Sequence, residues 1–440
     1  MRARSSVFFL LSITFLLAPA IYNGLPLLYS DSGTYIFSGF KFEPPVDRPI
    51  TYGLFIFITS LGGVSLWLTI IAQSAIISWL IREVMLLFTE KEKAVKLHLF
   101  VIAFLSMFSG LATVSSQLIA DIFTPVMALA LFLFLFQSDQ QKNKKWIFLA
   151  FTFLSCAMHG SHLMIGIGTL FICLLLALRK RKGSYHWKKI TVAAVTILLT
   201  SVFMFSSWTK SSHVFQLGRL AESGTLQTYL ADSCPSHHYN ICDCMDSIPR
   251  SADDVIWQRH NRVLATAGGW KESRPQLSEI IHNIYFTPHY CWMQIKSDAA
   301  DFCKQLITFG SGEGLIDYDE NIPVRKALAE YFPSSVPHYL SSAQHAGKFD
   351  KPWLFNLASG IILIISIVVI IYALLTRSPA PEYSKLIFFI STFYMLNCFV
   401  CSALVTIANR FGCRSVWLFP FAAILLILHY AEKRKTDPGQ

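Results

Sequence analysis

Acids, arginines, histidines and tyrosines stand together in short polar breaks of an otherwise apolar chain, and their types suit proton transfer and phosphate handling. The first break reads Tyr29-Ser-Asp31-Ser-Gly-Thr-Tyr35, then Glu43-Pro-Pro-Val-Asp47-Arg48-Pro49-Ile-Thr-Tyr52-Gly53. A second holds Ser115-Ser-Gln-Leu-Ile-Ala-Asp121, a third His159-Gly-Ser-His162, and a fourth Asn409-Arg410-Phe-Gly-Cys-Arg414. A carboxylate in a cleft that excludes most water can serve as a general base or hold a divalent metal. A planar guanidinium pairs phosphate oxygens two at a time. On these grounds Asp31 and Asp121 are the candidate catalytic acids. Tyr35, Arg48, Tyr52, His159, His162, Arg410 and Arg414 are the candidate substrate contacts. Each has a plain structural alternative: the aspartates as helix caps, the histidines as hydrogen-bonded residues of a helix tip, Arg410 and Arg414 as interface anchors. Whether a metal joins the acids is left open by the residues themselves.

What positions these breaks is a membrane-spanning framework. Of 440 residues, 53% are hydrophobic and only 15% charged, with a mean hydropathy of +0.48, outside the range of soluble domains. The net charge of +10 sits in short lysine and arginine clusters beside apolar runs. There it marks the cytoplasmic side and contacts anionic lipid, and no nucleic-acid module is present.

Apolar runs of about 20 residues, or somewhat fewer, are expected to cross the bilayer. They fall at 6–27, 64–88, 97–113, 122–136, as a pair within 146–178, and at 190–206, 353–375, 386–407 and 416–430. The fold expected is therefore an all-α polytopic membrane protein of about ten crossings. Residues 52–61 form a short helix along the outer surface. The clusters at Lys91 to Lys96, Lys142 to Lys145, Arg179 to Lys182, Lys188-Lys189 and Lys433 to Lys435 all face the cytoplasm. The N-terminus imitates a secretory signal, yet its apolar run leads straight into the Asp31 break. An uncleaved first helix is expected, delivering Asp31 to the outer side.

Three regions follow: a transmembrane region with the first-loop site at 1–206, a mostly helical extracytoplasmic domain at 207–352, and a C-terminal transmembrane region at 353–440. Helix-like spacing of apolar residues marks 215–230, 253–265 and 297–307. The domain holds Cys234, Cys242, Cys244, Cys291 and Cys303, so an oxidising compartment would allow a disulfide, with Cys234 the better partner for the Cys242-Asp-Cys244 pair than a zinc ion is. Gly310-Ser-Gly-Glu-Gly314 lacks the lysine of a phosphate loop and reads as a turn.

With this topology all four polar breaks arrive on one outer face beside the soluble domain. The arrangement resembles the GT-C superfamily of polyprenyl-phosphate-dependent glycosyltransferases. Tyr29 to Tyr35 and Asp47 to Gly53 are similar to the first-loop acid and the following proline and tyrosine of its arabinosyl- and mannosyl-transferring branches, and Asn409-Arg410 to Pro420 resembles a basic turn of that class. The inserted domain, with three crossings after it, departs from the many members in which the soluble domain follows all crossings. The resemblance implies inverting transfer from a polyprenyl-phosphate sugar to a glycan, lipid or protein acceptor, with Asp31 as base or metal ligand and Arg48, Arg410 or Arg414 steadying the departing phosphate. The compact termini make a bacterial inner membrane, with the domain periplasmic, the expected setting. Two other classes fit the composition: a transporter or lipid flippase, and a non-catalytic envelope scaffold.

Overall fold

A computed structural model describes residues 2–137, 143–179, 187–257, 262–350, 352–377 and 379–436. Lys142, Lys180, Arg181 and Lys182 lie outside them. The described residues contain helices and no strand; the one extended pairing is an isolated parallel bridge between Leu27 and Gln117.

Helix covers most of each expected run. Five helices are long and apolar enough to span a membrane: Leu66–Phe88, Gly160–Leu178, Trp353–Thr376, Pro381–Leu404 and Asn409–Lys433. A sixth arises if Trp187–Leu199 and Ser201–Glu222, bent by 45° at their junction, act as one span. Ser5–Leu16, Ala120–Phe136 and Lys145–Met158 are apolar but shorter, and Lys91–Phe108 carries charges over its first turns. The chain is thus an all-helical membrane protein. The bulk of its core lies among these helices around Trp417, Phe421, Phe123, Phe148 and Phe393.

Apolar side chains of 207–352 fall into separate groups. One cluster forms around Leu217, Leu226, Leu277 and Ile284. Tyr318, Val324, Leu328 and Tyr339 instead join the main core, because Pro323–Tyr331 packs on the helix Ser30–Lys41. A Cβ on Gly33 would lie 2.4 Å from the Pro323 carbonyl carbon, so only glycine allows this approach. The same holds for Gly39 against Gly53, where a Cβ would meet the Gly53 oxygen at 2.0 Å. These contacts fold the first break onto the short helix Thr51–Thr59, found where a surface helix was expected, and onto the 323–331 helix together. Cys234 and Cys242 form the disulfide.

Two polar breaks differ from their expected form. Residues from Ser30 make a helix, Ser30–Lys41, rather than a loop. Residues 409–414 belong to a helix, Asn409–Val416, rather than a turn. Both begin after an extended residue, Tyr29 and Ala408. Their amide groups at the start are satisfied by side chains that are remote in sequence or lie within the first turn, as described next.

Candidate functional site

The first-loop helix opens at Tyr29, whose N–H donates to Ser32 Oγ at 2.9 Å. Ser32 Oγ donates in turn to the Leu118 carbonyl at 2.7 Å, while Leu27 N–H reaches the Ser116 carbonyl and Leu118 N–H the Leu27 carbonyl, both at 2.9 Å. The Asp31 segment is therefore stitched to the turn that bears Asp121. Ser32 does the capping, and so Asp31, one residue earlier, is released for other partners.

Those partners are two arginines. Asp31 Oδ1 lies 3.0 Å from Arg48 Nη1 and Oδ2 accepts from Arg410 Nη1 at 3.1 Å. Burial alone would raise the Asp31 carboxyl, but the charges of Arg48 and then Arg410 outweigh it and hold it well below the usual carboxylate range. Arg48 is itself clamped: Nε and Nη2 donate to Asp47 at 2.8 and 2.5 Å, and its guanidinium sits 5.1 Å from the Tyr35 ring centre. Arg410 is the more open of the two, with 22% of its side chain exposed against 11% for Arg48. It lies between the rings of Tyr29 (4.7 Å) and Phe411 (4.9 Å). Burial pushes the Tyr29 phenol up to about 12, against the opposing pull of Arg410, so it stays neutral.

One turn along the same helix, Arg414 faces the protein interior. It is fully buried: Nη1 donates to Asp121 Oδ1 at 2.6 Å, Nε and Nη2 to Asn397 Oδ1 at 3.0 and 2.8 Å, and Nη2 also approaches Cys401 Sγ and Ser161 Oγ. Spacing of four residues puts Arg410 and Arg414 on one helix face, yet neither is an interface anchor. Asp121 makes no capping bond; its Oδ2 has no partner among the described residues.

The other candidates stand close by. Tyr35 and Tyr52 meet edge to face at 4.8 Å. Tyr52 Oη donates to Gln73 Oε1 at 3.1 Å, and Gln73 holds the carbonyls of Ser115 and Gln117. The Tyr35 hydroxyl is buried and has no hydrogen-bond partner among the described residues. His159 pairs with Ser161 Oγ at 2.9 Å. His162 is buried between Thr124 Oγ1 (2.7 Å) and the Ser155 carbonyl (2.8 Å), which leaves it a tie between helices with neither ring nitrogen spare.

The Gly310 to Gly314 segment, which the sequence marks only as a turn, completes the pocket through Glu313. Glu313 Oε2 accepts from the Arg410 N–H at 2.9 Å, and Asn409 Oδ1 accepts from Gly310 N–H at 2.8 Å; the loop thus caps the arginine helix. Burial raises the Glu313 carboxyl, opposed by bonds and charge from Arg410. Its signal in the sequence was an acid flanked by glycines, which alone indicates only a turn. From the far side, Gln305 exchanges hydrogen bonds with Ala408 N–H and carbonyl at 2.9 and 3.0 Å.

A small polar pocket opens here, with room for about one water molecule, lined by Thr113, Gln117, Asp121, Ser311, Glu313 and Arg410 among others. Beside it, and sharing Ser311 and Cys413, lies a second small pocket against Phe355, Leu363, Val416 and Trp417. Among the described residues no three His, Cys, Asp or Glu side chains are grouped as a metal would require. Asp31 fits a divalent cation poorly, since guanidinium groups already engage both its oxygens. The arrangement suits an anion that competes with Asp31 for Arg410, next to a polar pocket and an apolar one.

Fold and site together define an all-helical membrane protein with a charged pocket where its polar breaks converge. No known protein family, no curated protein and no solved structure matches the chain.

Proposed function

We propose that this protein transfers a sugar from a polyprenyl-phosphate donor to an acceptor outside the cytoplasm, in the manner of the GT-C superfamily its first-loop motif resembles. The observation that carries the reading is the Asp31 carboxylate held between Arg48 and Arg410, residues from the first loop and the last helical hairpin. In the resting site Asp31 occupies the arginines. A lipid-linked phosphate brings oxygens of the same charge and geometry, and the more exposed Arg410 turns to it. Asp31 then loses one of its two cationic partners, and its basicity rises towards that of an ordinary carboxylate. It takes the proton of the acceptor hydroxyl as that oxygen bonds to the anomeric carbon. The bond from that carbon to the phosphate oxygen breaks on the opposite face, and polyprenyl phosphate leaves on Arg410. Asp31 acts here as a base and holds no metal, since guanidinium groups already engage both its oxygens. Arg48 orients Asp31; Arg414 and Asp121 support the floor.

The same reading assigns ten crossings to the apolar helices, a bacterial inner membrane as the setting, and the periplasm for the 207–352 region, where the Cys234 to Cys242 disulfide is at home. The sparsely buried helix Trp353–Thr376 leaves apolar surface along which a lipid tail can lie. The test compares lipids and envelope glycans by mass spectrometry in cells with the chain, without it, and with Asp31→Asn. A sugar missing in both the deletion and the variant is the expected result. Unchanged glycans with a redistributed lipid across the bilayer would point instead to a flippase, and no change in either to a scaffold.

A further inference from the structure

The helix Pro288–Leu306, in the 207–352 region, carries its polar face inward and its apolar face outward. Gln294, Asp301 and Gln305 are buried. Asp298 and Asp301 each hold Arg219 Nη2 at 2.8 Å, and Arg219 is 1% exposed. Ser223 Oγ donates to Gln294 Oε1 at 2.7 Å. On the opposite face Trp292, Ile295, Ala299 and Cys303 recur at helical spacing, and all are exposed, Trp292 by 57%. Ile307, just past the helix end, is 77% exposed. Carboxylates inside with tryptophan and isoleucine outside is the reverse of what water selects.

The neighbours of this helix account for the reversal. Tyr394 Oη, on the candidate span Pro381–Leu404, donates to the Leu306 carbonyl at 2.9 Å, and the rings of Phe302 and Phe399 meet edge to face at 6.0 Å. The two helices therefore run antiparallel, which sets Ile295 close to the Leu404 end of the span and Trp292 about a turn beyond it. Leu306 stands beside Tyr394, ten residues from that end, about 15 Å inside it at 1.5 Å per residue and half of the roughly 30 Å hydrocarbon core. Phe302 and Leu306 also pack in one cluster with Leu363 of the span Trp353–Thr376. The outward face thus continues the surface of Met395 and Phe399, both half exposed on the neighbouring span.

We infer that Pro288–Leu306 is a half-inserted helix whose Trp292, Ile295, Ala299 and Cys303 face is covered by phospholipid of one leaflet. Trp292 then sits at headgroup level, where its ring belongs. Lys296, stacked over that ring at 5.4 Å, reaches an anionic phosphate. Lys304, on the flank of the face, is neutralised by Asp301 at 3.2 Å. The Arg219 cluster is turned away from lipid, as paired charges at this depth must be. This part of the 207–352 region is then bilayer-contacting surface and no detached domain.

The test places the full-length protein in nanodiscs of phosphatidylethanolamine and phosphatidylglycerol. A Cys244→Ser, Cys291→Ser background leaves Cys303 as the exposed free thiol among the described residues. A nitroxide on Cys303 is read by EPR power saturation with oxygen, which concentrates in acyl chains, and with a water-soluble nickel chelate. With Cys303→Ser added, Phe399→Cys serves as the lipid reference and Asp246→Cys, exposed in the 207–352 region, as the water reference. The Cys303 label should match Phe399→Cys, and Ile295→Cys should fall between the references. A Cys303 label as open to nickel as Asp246→Cys overturns the inference. One shielded from oxygen and nickel alike also overturns it, because protein, a second copy or another chain, then covers the face. Should the serine background fail to fold, the unaltered protein answers: Cys303, mapped by peptide mass spectrometry, should stay free of a charged maleimide until the protein is unfolded, and full labelling in nanodiscs overturns the placement.

Discussion

Arg414 Nη1 donates to Asp121 Oδ1 at 2.6 Å, with both side chains buried. The pair ties the arginine helix to the second polar turn, and Asn397 takes two more of the Arg414 donors. Removing one partner leaves the other charge buried and uncompensated, which costs about 3–5 kcal/mol. Arg414→Gln should therefore lower the melting temperature and the yield of folded protein sharply. Arg414→Lys should recover little of it, because a single ammonium cannot span Asp121 and Asn397. Arg410→Ala, at a more exposed position, should melt closer to wild type. Fluorescence-detected thermal unfolding in detergent separates the three.

Asp31→Asn keeps the shape of the side chain and removes its charge. The variant should remain folded in the membrane and lose product formation by roughly 100-fold or more, the span of positioned acid and base catalysis. Product mass spectrometry beside a melting curve decides it. Activity close to wild type would take Asp31 out of the chemistry.

Two carboxyls in the pocket respond to pH with opposite sign. The Asp31 pKa is depressed by Arg48 and Arg410 against the opposing effect of burial, so its contribution to stability is complete above the unfolded value of about 3.9. That contribution is lost as pH falls below it. Glu313 is raised by burial; its contribution is complete below the unfolded value of about 4.3 and fades as pH rises through the folded value. Asp31→Asn should thus flatten the acid limb of a melting-temperature profile, and Glu313→Gln should lift stability at neutral pH relative to acid. Profiles that leave both limbs unmoved would contradict this electrostatic account.

Gly33→Ala probes the packing that aims Asp31. The added methyl would press on the Pro323 backbone at 2.4 Å, and overpacking of this kind costs about 1–3 kcal/mol. The first-loop helix must shift to accept it, carrying Asp31 away from Arg410. Stability and transfer should both fall, while Gly360→Ala, with open space around its Cβ, should change neither. Melting curves and product yield on the two variants give the comparison.

The gathering of the polar breaks was legible because lysine and arginine clusters dictate which ends of the apolar runs share a side. The forms of those breaks were not. Residues 30–35 and 409–414 are short, polar and glycine-bearing, which reads as loop, and their helices are completed by the Leu118 carbonyl and by Glu313, groups about 85 and 100 positions distant. The three arginines look alike in sequence. Only the neighbours supplied by other helices make Arg414 a buried strut, Arg48 a clamped orienting group and Arg410 the accessible one. Glu313 stayed hidden because glycines on both sides imply a turn whatever lies against it. In the 207–352 region Pro288 opens Pro288–Leu306, but the helical spacing expected across 215–230 is broken at Gly224, whose positive φ separates Ser201–Glu222 from Thr225–Ser233.

Asp31 and Arg410 are 379 positions apart. A ribosome therefore delivers the acid to the membrane long before Arg410 exists, and through most of synthesis Arg48 is its one cationic partner. Asp121, with no such early partner among the described residues, waits for Arg414. Only when the final hairpin threads into place is that charge neutralised. A chain cut short by a premature stop codon never reaches that state, and cellular proteases that survey the membrane would meet it with Asp121 bare.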